Sequence, residues 1–307
     1  MADRVSLRAL GLFVCLLGTS LCAMATPPQR IVSLTPHLTE LLFDIGAGDR
    51  VVATDDASDY PAEVANLPRV ANYRSINLEA LLAQKPDLVV AWRSAQARML
   101  GPVERLGIPV FYSEPTDFAS LATEMRSLGH LLGLTSRADE QARAYLTRLD
   151  ALAVRYGEPK PLSVFYQLWY PPLTSVNNST WPGQAITLCG GRNIMAKTGA
   201  AYPQVGLEQV IKGNPGLILA GGRDPSVLDH WRQWPMLDAV KHQRLALINA
   251  DELHRFTPRA LNAVEQICEA IEIKGIRDLQ QHPQKDLIFI PQDRRSKETE
   301  TKHHLGQ

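Results

Sequence analysis

The sequence predicts an α/β protein of two Rossmann-like lobes, each with a mostly parallel central sheet, joined by a single long connector helix. Three observations carry that expectation. Short apolar, β-branched runs alternate with helical patterns in both halves, one long helical pattern separates the halves, and a stretch of the first half is echoed in the second.

The chain opens with Arg4 and Arg8, an apolar run from Leu10 to Leu17, and Ala23-Met-Ala25, a small-x-small cleavage pattern. The run is shorter than the roughly 20 apolar residues that a spanning helix needs, so residues 1–25 read as a secretory signal peptide removed after Ala25. Lipid attachment at Cys22 is the alternative, with Leu21 a poor fit to the small residue expected before such a cysteine. Cleavage leaves Cys189 and Cys268 as the cysteines of a protein exported to an oxidising compartment, where they are expected to pair. In the chain-entropy account a bridge over so long a loop is worth about 4 to 5 kcal/mol. Two buried free thiols are the alternative.

In the first lobe, residues 26–134, strands are expected at Arg30–Leu34, Val51–Ala53, Asp87–Trp92 and Ile108–Tyr112. Near-continuous apolar strands separated by helices mark a parallel sheet covered on both faces. The first strand leads into a helix whose signals are Thr35 as cap, Pro36 at its first position, and a stripe of Leu38, Leu41, Leu42 and Ile45 before Gly46. A helix from Phe118 to Leu132 follows. The connector, residues 135–158, repeats Ala142, Tyr145, Leu149, Leu152 and Tyr156 at helical spacing, with Arg137, Glu140, Arg143, Arg148 and Asp150 on the solvated side.

Gly157-Glu-Pro-Lys-Pro161 breaks the helix, and the second lobe, residues 159–277, resumes with strands at Ser163–Leu168, Gly216–Ala220 and Arg244–Ile248. Residues 278–307 are polar apart from Leu287-Ile-Phe-Ile290, and are expected to form a disordered tail. The echo aligns residues 77–92 with residues 206–221 without gaps. Each segment has Leu-Glu, an apolar helical turn, a proline and an apolar strand, and Tyr73 and Tyr202 stand at equal distances before it. Two similar lobes facing one another would enclose one cleft.

Lys and Arg total 32 and Asp and Glu total 32, so no global field recruits nucleic acid or an anionic membrane. No phosphate loop, nucleophile elbow or dinucleotide fingerprint is present. No cofactor, metal or catalytic residue is therefore assigned, and the chain is expected to act as a monomer without catalytic turnover.

Arg30-Ile-Val-Ser-Leu-Thr-Pro-His-Leu-Thr-Glu40, Ser58-Asp-Tyr-Pro61, Asn77-Leu-Glu79, Lys85-Pro-Asp-Leu-Val-Val-Ala-Trp92 and Pro203-Gln-Val-Gly-Leu-Glu-Gln-Val210 together resemble the periplasmic cobalamin-binding proteins of bacterial ABC importers. The resemblance spans about Arg30 to Arg277. It implies the rigid class of solute-binding protein, in which one long helix limits hinge motion, and a corrin ring gripped by aromatic side chains from both lobes. The positions it implies as ligand contacts are Tyr73, Trp92, Leu168, Leu173, Tyr202, Asp251 and Arg255. Where the family commonly has tryptophans this chain has Tyr73 and Tyr202, and Leu168 stands for a phenylalanine, with Trp169 beside it as a further aromatic contact. The resemblance also implies the Cys189–Cys268 bridge, and Glu79 and Glu208 as carboxylates that dock on the permease and its ATPase assembly.

A corrinoid offers a broad apolar face fringed by amides, so aromatic surface with a few hydrogen-bonding groups is the chemistry required. Trp92 is the strongest candidate, at the C-terminal end of a buried strand, where open α/β sheets bind ligands. Core packing is the bland alternative for each aromatic. For Asp251 and Arg255 it is an ion pair with each other, and for Glu79 and Glu208 a favourable place in a helix dipole. A haem, siderophore or metal-ion binder, using His37, Asp251 and His254, is the rival function; a secreted α/β enzyme is the more distant one.

Overall fold

The computed structural model describes residues 26–272. The signal segment, Cys22, and the tail with Leu287–Ile290 lie outside the described residues.

The first sheet contains β1 (Ile31–Ser33), β2 (Val51–Asp55), β3 (Arg69–Ala71), β4 (Leu88–Trp92) and β5 (Val110–Ser113), in the order β3-β2-β1-β4-β5. The second contains β6 (Ser163–Gln167), β7 (Arg192–Asn193), β8 (Leu217–Gly221) and β9 (Leu245–Ile248), in the order β7-β6-β8-β9. Every pairing in both sheets is parallel. The echoed segments fall at equivalent places: β4 lies between β1 and β5 as β8 lies between β6 and β9. Two strands, β3 and β7, go beyond the sequence expectation; both are short edge strands.

Alternation along the strands divides the core. Leu88 and Val90 of β4, Val164 and Tyr166 of β6, and Leu217 and Leu219 of β8 belong to one continuous cluster. Their neighbours face two separate outer clusters: Val89 and Ala91 pack beneath the first sheet, Phe165, Ile218 and Ala220 beneath the second. The shared inner cluster is threaded by the connector helix Thr135–Tyr156, whose buried residues are Ala138, Ala142, Tyr145, Leu149, Leu152 and Tyr156. Burial of Leu149 and Leu152 contributes about 1.5 to 3 kcal/mol of transfer free energy each, and with the two tyrosines the stripe packs the helix against the cluster shared by both lobes. Its start lies close against the helix Phe118–Leu131: a Cβ on Gly129 would stand 2.1 Å from the Cβ of Ala138, so the crossing requires glycine.

The first helix runs Pro36–Asp44 with Leu38, Leu41, Leu42 and Ile45 all buried. Thr35 occupies its N-cap position with extended backbone, but its side chain makes no capping bond. That corrects the expected cap: the Thr35 hydroxyl is buried and, among the described residues, reaches neither the N–H groups of the first turn nor any other hydrogen-bond partner. Cys189 and Cys268 are joined in a disulfide, with Cα atoms 4.7 Å apart across 79 residues of sequence. It ties the end of the helix Trp181–Leu188 to the helix Ala260–Glu272.

Candidate functional site

Both sheets direct the C-terminal ends of their strands at one cavity of about 720 Å³, inside the ~300–1,000 Å³ range of small-molecule sites. The first lobe supplies Trp92 from the end of β4, Ser94, and residues 114–117 after β5. The second supplies Leu168 after β6, the segment around Trp181, Tyr202, and Leu253, His254 and Phe256 after β9. A parallel sheet brings the loops after its strands to one edge, which is why residues far apart in sequence meet here.

An aromatic chain crosses the floor from lobe to lobe. Phe256 meets Trp92 edge-on at 5.7 Å between centroids and meets Trp181 at 4.8 Å, while Trp181 packs on Phe118 at 4.3 Å. His37 stands edge-on to both Trp92 and Phe256, at 6.1 and 5.4 Å. It is buried, and its Nε2 lies 3.2 Å from Ser113 Oγ. Burial, reinforced by the nearby Arg255 guanidinium, pushes the His37 pKa down to about 3. His37 is thus a neutral ring packed behind the lining residues Trp92 and Phe256.

The polar rim is built from loop contacts. Ser94 N donates to Glu114 Oε2 at 2.7 Å, and Glu114 N donates to Glu124 Oε1 at 2.6 Å. Asp117 caps the Phe118–Leu131 helix in a capping box with Ser120, and Thr180 Oγ1 accepts from Gly183 N at the start of Trp181–Leu188. Opposite, His254 Nε2 lies 2.9 Å from Tyr166 Oη. No Lys or Arg is among the described residues lining this cavity, whereas Glu114 and Asp117 are.

Of the residues the sequence singled out as ligand contacts, Trp92, Leu168 and Tyr202 are brought together in the cavity wall. Tyr73 stands outside it, 83% exposed, with the Arg74 guanidinium 5.0 Å above its ring. Trp169 is also outside and 64% exposed, its Nε1 donating to Pro171 O. Leu173 lines a separate hollow of about 200 Å³ with Tyr170, Leu207, His230 and Trp231. Asp251 and Arg255 do not pair with each other. Asp251 is bonded to Arg223, and Arg255 reaches across to Glu40 and Asp59 of the first lobe at 2.8 and 2.7 Å. Burial opposes the charge on Arg255, but the hydrogen bonds it donates to Asp59 and Glu40, with the charges of those two carboxylates, outweigh it and raise its pKa.

Phe256 and Trp181 were not legible as site residues. Thr180-Trp-Pro-Gly reads as a capped helix start, yet nothing local tells that Trp181 meets Phe118 and Phe256. A further hollow of about 430 Å³, against Lys160, Leu162, Arg244 and Ile271, lies at the opposite, N-terminal edge of the second sheet.

The profile of the periplasmic binding proteins matches residues 31–252. The chain belongs to the periplasmic binding protein family. Among relatives of this periplasmic binding protein, a vitamin B12-binding protein of Vibrio parahaemolyticus is 35% identical over 263 residues, covering 85% of this chain and 96% of the relative. One of Vibrio cholerae is 37% identical over 256 residues, covering 83% and 93%. The crystal structure of the periplasmic vitamin B12 binding protein BtuF of Vibrio cholerae superposes with a TM-score of 0.75 at 36% identity, over 81% of this chain and 98% of that one. A periplasmic haem-binding protein of Roseiflexus shares the fold, with a TM-score of 0.69 at 24% identity. Among the described residues of this periplasmic binding protein, no helix is long and apolar enough to cross a membrane. Glu79 and Glu208 are exposed in the first turns of the equivalent helices Leu78–Ala83 and Leu207–Gly213.

Proposed function

We propose that this periplasmic binding protein, exported by its signal peptide, captures cobalamin in the cavity between its lobes. It then delivers the ligand unaltered to the permease and ATPase of an ABC importer. The composition of the cavity carries this reading. Its wall joins broad aromatic surface from Trp92, Tyr202 and Phe256 to a rim of hydroxyl, amide and imidazole groups, and among the described residues it contains carboxylates but neither Lys nor Arg. Such a lining suits a wide ring fringed with neutral amides. It opposes an anionic guest, because Glu114 and Asp117, both exposed at the rim, repel like charge.

Haem carries propionates, and ferric siderophores are commonly anionic, so the same lining disfavours both. The vitamin B12-binding relatives, at 35% and 37% identity over most of the chain, support the same ligand. The large apolar core around a single helix supports a carrier whose lobes move little on loading. Titration of the purified mature protein with cyanocobalamin and with haemin, followed by calorimetry and by absorption spectra, tests the reading. Saturable one-to-one binding of cyanocobalamin with no haemin binding is expected; the reverse preference overturns it.

A further inference from the structure

The repeat places Gly221 of the second lobe where the first lobe has Trp92, each the last residue of its strand. A Cβ on Gly221 would stand 2.7 Å from Tyr166 Oη and 3.0 Å from His254 Cε1. The space that a side chain fills in one lobe is therefore held in the other by the Tyr166–His254 pair. Tyr166 is fully buried, and among the described residues His254 Nε2, at 2.9 Å, is the one partner its hydroxyl has.

That isolation decides the direction of the bond. Burial raises the Tyr166 pKa, so the phenol keeps its proton. A buried O–H left without an acceptor keeps its full desolvation penalty, so the hydroxyl donates and Nε2 accepts. Burial also lowers the His254 pKa, against the opposing charge of Asp251, which favours the neutral ring. A neutral imidazole that accepts at Nε2 carries its proton on Nδ1. Nδ1 has no hydrogen-bond partner among the described residues, and His254 lines the cavity.

We propose that His254 is a specificity-determining contact that donates from Nδ1 to an amide carbonyl on the edge of the corrinoid, and that Tyr166 is the positioning residue that fixes its tautomer. The proposal rests on the cobalamin reading. A neutral donor in a cavity that also holds Glu114 and Asp117 suits an amide oxygen; a carboxylate would call for a cation in its place.

Titration calorimetry of the mature protein with cyanocobalamin tests this. His254→Phe keeps a flat ring and removes both nitrogens; a loss of about tenfold in affinity is expected. Asparagine and glutamine separate the two nitrogens, since the shorter amide stands near Nδ1 and the longer near Nε2. His254→Asn is expected to stay within about threefold of wild type, and His254→Gln to bind as weakly as His254→Phe. Tyr166→Phe should weaken the wild type yet add nothing to His254→Phe, the coupling expected if both act through one bond. Unchanged affinity in His254→Phe, tight binding by the glutamine variant with loss in the asparagine variant, or full additivity of Tyr166→Phe would overturn the contact. A wild type that binds no cyanocobalamin overturns the cobalamin assignment itself, a result distinguishable from tolerant variants of a protein that binds.

Discussion

Arg255 of the second lobe donates to Glu40 of the first at 2.8 Å, and the Glu40 side chain is only 1% exposed. Arg259 adds Nε and Nη2 bonds to the same carboxylate at 2.8 and 2.7 Å, so three charge-assisted bonds from one lobe converge on one acid of the other. Removing one partner of such a buried cluster leaves the opposite charge desolvated, at a cost of about 3 to 5 kcal/mol. Glu40→Ala is expected near the lower figure, about 3 kcal/mol, because Asp59 still accepts from Arg255 at 2.7 Å. Urea denaturation followed by tryptophan fluorescence checks this, and a change below about 1 kcal/mol would show the clamp to be dispensable.

Asp44 follows Glu40 by one helical turn, and its pKa is pushed up from 3.8 to about 6, first by burial and then by the Glu40 charge, with Arg259 and Arg137 opposing. The folded carboxyl therefore binds its proton more tightly than the unfolded one does. Between pH 3.8 and about 6 the native state holds the extra proton, so this group's contribution to stability falls as pH rises through that window. Asp44→Asn is expected to be nearly neutral at about pH 4 and to stabilise by about 1 to 2 kcal/mol at about pH 7.5. Denaturant midpoints at the two pH values measure the difference; equal effects at both would contradict the assignment.

The sheets were legible because strands buried on both faces read as unbroken apolar runs, as at Leu88–Trp92 and Leu217–Gly221. Arg69–Ala71 and Arg192–Asn193 escaped notice because an edge strand pairs on one side only and needs few apolar residues. Trp92 was visible for a positional reason: it ends a buried strand. Phe256, Trp181 and the Tyr166–His254 pair were not, since their roles depend on packing between segments remote in sequence. The repeat pairs Tyr73 with Tyr202 in sequence, but Tyr202 lines the cavity and Tyr73 does not. Equivalent positions in a repeat share backbone, while side-chain surroundings diverge with the loops.

That divergence separates three aromatics. Trp92 packs its ring against both His37 and Phe256 and lines the cavity, so Trp92→Ala removes both ligand surface and support for the floor. A loss of at least about thirtyfold in cyanocobalamin affinity is expected, the size of a central aromatic anchor. Tyr202→Ala should fall between this and wild type, since Tyr202 is 55% exposed. Tyr73→Ala, at 83% exposure outside the wall, should stay within about threefold. Calorimetry on the three variants ranks them, and a Tyr73 effect equal to that of Trp92 would mean that the rim closes over the ligand.

Glu79 and Glu208 have the same local explanation, because a carboxylate in a first helical turn gains about 0.3 to 1 kcal/mol from the dipole. That gain applies to each helix separately. It gives no reason for both lobes to present an exposed acid at the equivalent position, one after Asn77 and Leu78 and the other after Gly206 and Leu207. Two carboxylates presented one on each lobe can register the protein on a partner with two matching basic sites and speed their encounter. Glu79→Gln with Glu208→Gln is therefore expected to leave cyanocobalamin affinity within about twofold while slowing uptake in a reconstituted importer by about tenfold or more. Raising the salt concentration should narrow the gap by slowing the wild type, since screening acts on exposed charges. Uptake by the double variant at the wild-type rate in low salt would return both glutamates to their helices.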